Sequence, residues 1–410
     1  MKASETTLRN LLEGTKQFQI PLFQRPYSWK KENWETLWED LMSLYQEEIK
    51  GSYFLGPIVT QAIPSTADGI SPFVVIDGQQ RLTTLTIVLA VLRNHLKKTD
   101  KDIAQEVQEL YLINKFRKDD SLYKVLPTQS DREVYQSIII AKKDISKEAS
   151  IYEAYKFFDT KFKKPGFEED ISLDLNKFKA ILLEQILLVN ITSDEGDNPY
   201  LIFESLNNKG EELSQIDLVR NYIFMKIPAT EQEAVYNNLW LPLQQNFKEY
   251  AKTDYANELT TAFWFYLRKD GNAISQKEVY KAIKQKFDSS QAGVISQLEE
   301  IIQFANYYLR LNFEAEEPND SLKRWFTRLK RLDFTTCHIF LLNVYRDYET
   351  EKISLVEFEQ ILKYLESYFI RRWITGTSTR ALGTVFNDLY NNVKEKEPNS
   401  LVEGLRQTNY

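Results

Sequence analysis

A single cysteine, Cys337, in 410 residues rules out an intramolecular disulfide framework and any cysteine-rich zinc site. Histidine is nearly as scarce. His95 and His338 are the only two, neither has metal-ligand spacing around it, and both read as structural. Glycine contributes 13 residues, well under the usual share of roughly 7%, which disfavours turn-dense all-β and collagen-like folds and favours long helices. The longest apolar run, residues 87–92, falls far short of the ~20 residues that cross a bilayer. No apolar segment follows the positive charge at Met1-Lys2, so no secretory signal is read there. No G-x-x-x-x-G-K-[ST] occurs, so any bound nucleotide is not held by a P-loop. Basic residues, 52 against 59 acidic for a net charge of −7, are too few to coat nucleic acid indiscriminately, which leaves only local basic faces for that purpose. These absences together predict a soluble cytoplasmic protein in a reducing setting, with no membrane contact.

With 43% hydrophobic and 27% charged residues, the chain is ordinary globular material of two to three domains at ~150 residues each. The first third alternates. Residues 18–23 read as a short strand with Pro21 marking an edge or irregularity. Trp34, Leu37, Trp38, Leu41, Leu44, Tyr45 and Ile49 recur at helical steps. Residues 56–61 and 73–76 read as strands, after which Asp77-Gly78 breaks the pattern. A helix marked by Leu82, Leu85, Leu89, Leu92 and Leu96 follows. Residues 187–191 read as a fourth strand, making the helical stretch at about 100–185 an insertion in a small mixed α/β domain. From Asn198 the helical pattern dominates. The expectation is an α+β chain with a boundary near 227: residues 1–227 mixed α/β and 228–410 all-helical.

Three segments carry chemistry. In Asp77-Gly78-Gln79-Gln80-Arg81-Leu82-Thr83 a buried strand runs through a glycine turn into a helix start, leaving free N–H groups and the positive helix end for an anion. Arg81 offers a planar fork for phosphate oxygens. Gln79 and Gln80 could hold a water or read a ribose or base edge, and Asp77 could hold magnesium or simply cap the helix. In the second segment, Gln24-Arg25-Pro26-Tyr27-Ser28-Trp29, an arginine and two aromatics leave a strand. They could stack on a base or clamp a phosphate, or Tyr27 and Trp29 could be core anchors. In the third, Glu204 and Asn207 share a helical face at a spacing of three. Just beyond them Ser214 and Asp217 read as a helix start, with Leu213 stapling to Leu218. A basic helix face, with Lys323, Arg324, Arg328, Lys330 and Arg331 around Leu322, Trp325, Phe326, Leu329 and Leu332, could track a phosphate backbone or be a solvated surface.

The stretch from Ile20 to Trp29, the Asp77–Arg81 block, and Phe203-Glu204-x-Leu206-Asn207 running on to Gly210, Leu213, Asp217, Arg220 and Asn221 occur in that order. In this the chain resembles the N-terminal domain family of GmrSD-type modification-dependent restriction enzymes, strongly over residues 5–225 and more loosely beyond, where 370–386 also looks family-like. The resemblance implies a ParB/sulfiredoxin-like fold. It also implies a nucleoside-triphosphate-binding and -hydrolysing module, with magnesium, whose state controls restriction of modified or phage DNA. Asp77, Gln79, Gln80 and Arg81 would be catalytic, and Gln24, Arg25, Gly78, Thr83, Glu204 and Asn207 would line the nucleotide site. Asp77 or Glu204 would hold the metal; apart from the resemblance, Tyr27, Trp29, Arg324, Arg328 and Arg331 are the candidate DNA contacts, from the second segment and the basic helix face. No nuclease site is legible in this chain, so the resemblance implies either a piece of a longer protein or a chain that works with a separate nuclease subunit, and an oligomer is possible. The rival readings are a non-hydrolysing ParB-like DNA-binding adaptor and a regulatory protein in which nucleotide is a structural ligand.

Overall fold

A computed structural model of the chain describes residues 2–63, 69–142, 144–147, 149–165, 173–193, 214–251, 254–313, 316–332, 335–378 and 382–408. The chain divides into two compact units, Met1–Glu212 and Leu213–Tyr410.

The first unit is built on a six-stranded mixed sheet of β1 (Lys2–Thr7), β2 (Lys16–Gln19), β3 (Tyr53–Ala62), β4 (Ser71–Asp77), β5 (Val125–Leu126) and β6 (Ile186–Ser193), in the order β1-β6-β3-β4-β2-β5. β1 runs antiparallel to β6, and β3 antiparallel to β4. The pairs β3–β6, β2–β4 and β2–β5 are parallel. The four strands expected from the sequence are present. The segment expected over 18–23 ends earlier, at Gln19, and is interior rather than an edge, with β4 on one side and β5 on the other. Pro21 ends it because proline has no N–H to give the ladder. β1 and β5 carry no readable pattern. The first is polar and pairs along an edge through its backbone, and the second has only two residues. β5 also shows that the helical stretch at 100–185 is not an appendage, since its chain returns to the sheet beside β2.

Among the described residues the α-helices of this unit are α1 (Leu8–Leu12), α2 (Lys31–Tyr45), α3 (Gln79–Thr99), α4 (Lys101–Val107), α5 (Gln129–Ile139), α6 (Ser150–Lys163) and α7 (Leu175–Ala180). α2 buries the predicted stripe, Trp34, Leu37, Trp38, Leu41 and Leu44. Its tryptophan rings meet Phe157 of α6 at 5.7 Å and Phe162 and Phe178 at 5.6 and 5.7 Å, within the range of favourable ring pairs. The helix expected from the leucine spacing is α3, but it is buried on every side from Leu82 to Arg93 rather than along one stripe. A helix walled in this way must satisfy its polar side chains internally. Thr84 Oγ1 donates to the Gln80 carbonyl at 2.8 Å and Tyr135 donates to Thr86 Oγ1 at 2.8 Å. Arg93 holds the Ile138 and Ile139 carbonyls at the end of α5.

In the second unit the described residues form helices α8 (Gln215–Lys226), α9 (Ala229–Val235), α10 (Leu241–Ala251), α11 (Tyr255–Arg268), α12 (Val279–Ser289), α13 (Val294–Asn312), α14 (Asp320–Arg331), α15 (His338–Glu349), α16 (Leu355–Ile374), α17 (Leu382–Lys396) and α18 (Leu401–Gln407). α15 is its most enclosed helix, with Ile339 to Tyr345 all buried. No described helix is long and apolar enough to cross a membrane.

Candidate functional site

The turn from β4 to α3 depends on one residue. Gly78 has φ +88°, and a Cβ there would sit 2.9 Å from the Pro57 carbonyl oxygen and 3.1 Å from Ile58 Cα. Both the left-handed conformation and the close approach of β3 require glycine. Gly78 is also the N-cap of α3, and it supplies no capping side chain. The first turn holds no acidic residue either, so the N–H groups at the helix start are uncapped.

Around this turn the motif residues divide in two. On the β3 side, Arg81 Nη2 lies 3.4 Å from Asp77 Oδ2, and both side chains are about three-quarters buried. The guanidinium occupies the space left by Gly56, whose φ is +127° and whose absent Cβ would fall 2.5 Å from Arg81 Nη1. Arg81 Nε is buried with no partner. Burial lowers the Arg81 pKa from the ordinary arginine value, with Asp77 pulling the other way. The result is an enclosed cation with one long contact, a seat that an anion would complete.

On the other side, Arg25, Tyr27, Gln79, Gln80, Thr83 and Asp131 line a cleft of about 160 Å³ including its open mouth, with Ile20, Pro127 and Thr128. The enclosed part is only about 10 Å³, room for a single water, so this cleft does not itself enclose a nucleotide. Two glutamines, Gln80 of the cleft and Gln24 next to the cleft's Arg25 in sequence, hold the chain together. Gln24 donates to the Val75 and Ile76 carbonyls at 2.8 and 3.1 Å and is buried. Gln80 accepts from the Ser28 N–H at 2.9 Å and donates to the Pro26 carbonyl at 3.2 Å. They clamp the loop after β2 onto β4 and α3. Tyr27 is a core anchor, its hydroxyl shared with Thr84 at 2.7 Å and accepting from Trp34 at 2.8 Å. Trp29 packs against the same core.

Asp131 and Thr128 were not foreseen. Asp131 is buried, and its Oδ2 accepts from the Tyr27 N–H at 2.7 Å and the Thr128 hydroxyl at 2.8 Å. Burial raises its pKa, with the two bonds opposing. The signal was present as Thr-x-x-Asp after Pro127, a helix-start pattern. Its meaning depended on β5, which delivers it to the cleft.

Glu204, Asn207 and Leu213 lie outside the described residues. In the second unit Ser214 caps α8 through the Asp217 N–H at 3.3 Å, while Asp217 accepts from the Ser214 hydroxyl at 2.6 Å and from Arg220 at 2.7 Å. Asp217 is thus fully engaged at a helix start. Of the basic residues on α14, Arg324 and Arg331 are exposed, whereas Arg328 is held by both oxygens of Glu366 at 2.9 and 2.6 Å. That acid comes from α16, so the helix's own sequence could not reveal it. His95 bonds Asp159 at 2.9 Å, and His338 is buried between Phe265 and Tyr308. Among the described residues no group of three or more histidine, cysteine or carboxylate side chains could hold a metal ion.

Compared with known proteins, residues 8–224 match the family model described as the GmrSD restriction endonuclease N-terminal domain. An uncharacterized protein of Methanocaldococcus jannaschii is 25% identical over 278 residues, covering 58% of this chain and 46% of the relative. The chain thus spans about half the length of that relative.

Proposed function

The chain belongs to the family of GmrSD restriction endonuclease N-terminal domains, matched over more than half its length, and from that premise we propose that it is the nucleoside-triphosphate-binding and -hydrolysing switch of a DNA-restriction system directed at modified or phage DNA. The observation that carries the reading is the under-satisfied Arg81 beside an uncapped helix start, both at the end of β4, an interior strand of the sheet. Phosphoryl transfer needs charge stabilisation and positioning more than a covalent nucleophile. Arg81 would offset charge on the phosphates, and the α3 N–H groups would hold their oxygens. Gln79, whose neighbours leave it facing the cleft, would orient the attacking water, while Gln80 and Gln24 keep the loop in place. Arg25 and Thr83 would contact the nucleotide, as would Glu204 and Asn207 by family likeness.

Nucleotide enzymes usually hold magnesium by one or two carboxylates with the rest supplied by phosphate and water, and among the described residues Asp77 is the carboxylate beside the turn. Asp77 would be one of those carboxylates and Glu204 the other. Magnesium, when bound, would neutralise charge on the phosphates. The nuclease would reside in a partner domain or subunit.

Phosphate release from ATP, GTP, CTP and UTP with magnesium, measured on wild type and Arg81→Ala side by side, tests the reading. Release by wild type alone is expected and would name the nucleotide. Equal release by both proteins would remove Arg81 from the reaction. No release from wild type, with or without DNA, is what a non-hydrolysing adaptor gives.

A further inference from the structure

Two helices of the second unit end in one place. α14 and α16 run in the same direction. Ser321 donates to Glu359, and two turns on Arg328 grips Glu366. Their C-terminal turns, 330–331 and 370–374, therefore come to the same end of this unit. Trp373 is 78% exposed there and Ile374 71%, beside the exposed Arg371 and the exposed hydroxyl-rich turn 375–378. Among the described residues neither Arg331 nor Arg371 pairs with a carboxylate; Arg371 Nε reaches only the Ser367 carbonyl at 3.2 Å. Arg372 is fixed against Tyr368, its Nη1 donating to the hydroxyl at 3.2 Å. Residues 367–387 contain three arginines and no carboxylate, in a chain where acids outnumber bases.

A basic end suits a helix C-terminus by itself, but that does not account for a tryptophan and an isoleucine held out in water next to it. Tryptophan and arginine also recur in protein interfaces; what favours a polyanion here is that no carboxylate lies between residues 367 and 387 to balance the arginines. Cations without acids and a bare aromatic wedge together match a nucleic-acid backbone and its bases, while the turn hydroxyls of Thr375 and Thr377 are bonded to each other and to the helix end. We propose that this end of α14 and α16 is a contact surface for duplex DNA, with Arg331 and Arg371 on phosphates and Trp373 and Ile374 against the base edges. The choice of DNA as the polyanion rests on the restriction-system reading. The surface relocates the contact from the face of α14, where Arg328 is already neutralised, to the tip of α16.

The test is fluorescence anisotropy of a labelled 20-base-pair duplex with the full chain across a salt series. It compares wild type, Arg331→Glu/Arg371→Glu, Trp373→Ala and Arg328→Ala, each first shown to melt like wild type. Each phosphate contact contributes a slope of roughly −0.9 in log affinity against log salt, so the double charge reversal should flatten the slope by about 2 and weaken binding by about tenfold or more. Trp373→Ala should weaken binding by at least about fivefold with the slope unchanged, as loss of a base contact does. Arg328→Ala should bind as wild type. Unchanged affinity and slope in the first two variants, or no duplex binding by wild type at low salt, overturns the proposal. So does loss of a concentration-dependent dimer by Trp373→Ala in light scattering without any change in DNA binding, since the surface would then join two copies. Phosphate release by the same variants is expected to stay at the wild-type level. A failure here is therefore distinct from a failure of the nucleotide reading.

Discussion

Gly56→Ala separates what the backbone requires from what Arg81 requires. Gly56 lies on β3 at φ +127°, a conformation that is essentially glycine's alone, and its missing Cβ is the space that Arg81 Nη1 occupies at 2.5 Å. The conformational penalty of alanine there is about 1–3 kcal/mol, and the pairing of Gly56 with Leu188 of β6 holds the backbone in that conformation. The clash is different in kind, since the atom struck is the end of a flexible side chain. Arg81 leaves its seat and gives up a 3.4 Å contact with Asp77 that is partly exposed, worth under about 1 kcal/mol. Gly56→Ala should therefore destabilise wild type and Arg81→Ala nearly equally, with a coupling below about 1 kcal/mol. For a unit of this size that is a fall of roughly 2–4 °C in melting temperature per kcal/mol. Nucleotide turnover should behave oppositely, with Gly56→Ala falling to the level of Arg81→Ala and the double variant no lower. Denaturation and phosphate release on all four proteins read both quantities. Wild-type turnover by Gly56→Ala, with Arg81→Ala inactive, would refute the argument that the glycine keeps the arginine in place.

The other titratable and reactive groups give sharper single readouts. Burial holds the folded pKa of Asp131 above its unfolded value of about 3.9, so stability falls as pH rises from that value through the folded one. Asp131→Asn keeps both acceptor bonds without the charge. It should match or exceed wild type in denaturation midpoint near pH 7 and lose that advantage towards about pH 3.5. His338, buried with Nδ1 unpartnered, is pushed down to about 4. Stability from its neutral form is complete above the unfolded value of about 6.5 and is lost as pH falls through 4, by about 3 kcal/mol. His338→Phe should remove that part of the acid sensitivity. Cys337 is fully buried with its thiol pushed up to about 12. The native protein should not react with a thiol reagent, and the labelling rate should track unfolding of the second unit.

Strong periodicity made the frame of the fold legible. The α2 stripe, strands β3, β4 and β6, and the helix after Asp77-Gly78 all follow from apolar spacing and one glycine turn. β1 and β5 escaped because a strand recruited through its backbone alone needs no side-chain pattern. The same limit hid Asp131, whose place in the cleft is set by a two-residue strand, and hid the neutralisation of Arg328, whose acid lies 38 residues away in sequence. The exposed end of α16 was visible only as Ile370-Arg371-Arg372-Trp373. Nothing in that spacing distinguishes a tryptophan turned to solvent from one turned inward.

The block from Asp77 to Arg81 reads as one catalytic loop, but folding claims alternate members of it. Gly78 lies against β3 and Gln80 holds the Pro26 carbonyl and the Ser28 N–H, while on the proposed reading Asp77, Gln79 and Arg81 would serve the nucleotide. This division predicts a split between neighbours. Gln80→Ala strands a partly buried N–H and frees the loop after β2, at a cost of about 1–3 kcal/mol. It should lower turnover through a loosened cleft that returns as temperature is reduced. Gln79→Ala breaks no internal bond of that kind, should leave the melting temperature within the range of about ±0.5 kcal/mol typical of such surface changes, and should lower turnover at every temperature. Equal loss of turnover by the two variants at equal stability would mean that Gln80, too, touches the reacting atoms, and that its bonds to the loop are broken when nucleotide binds.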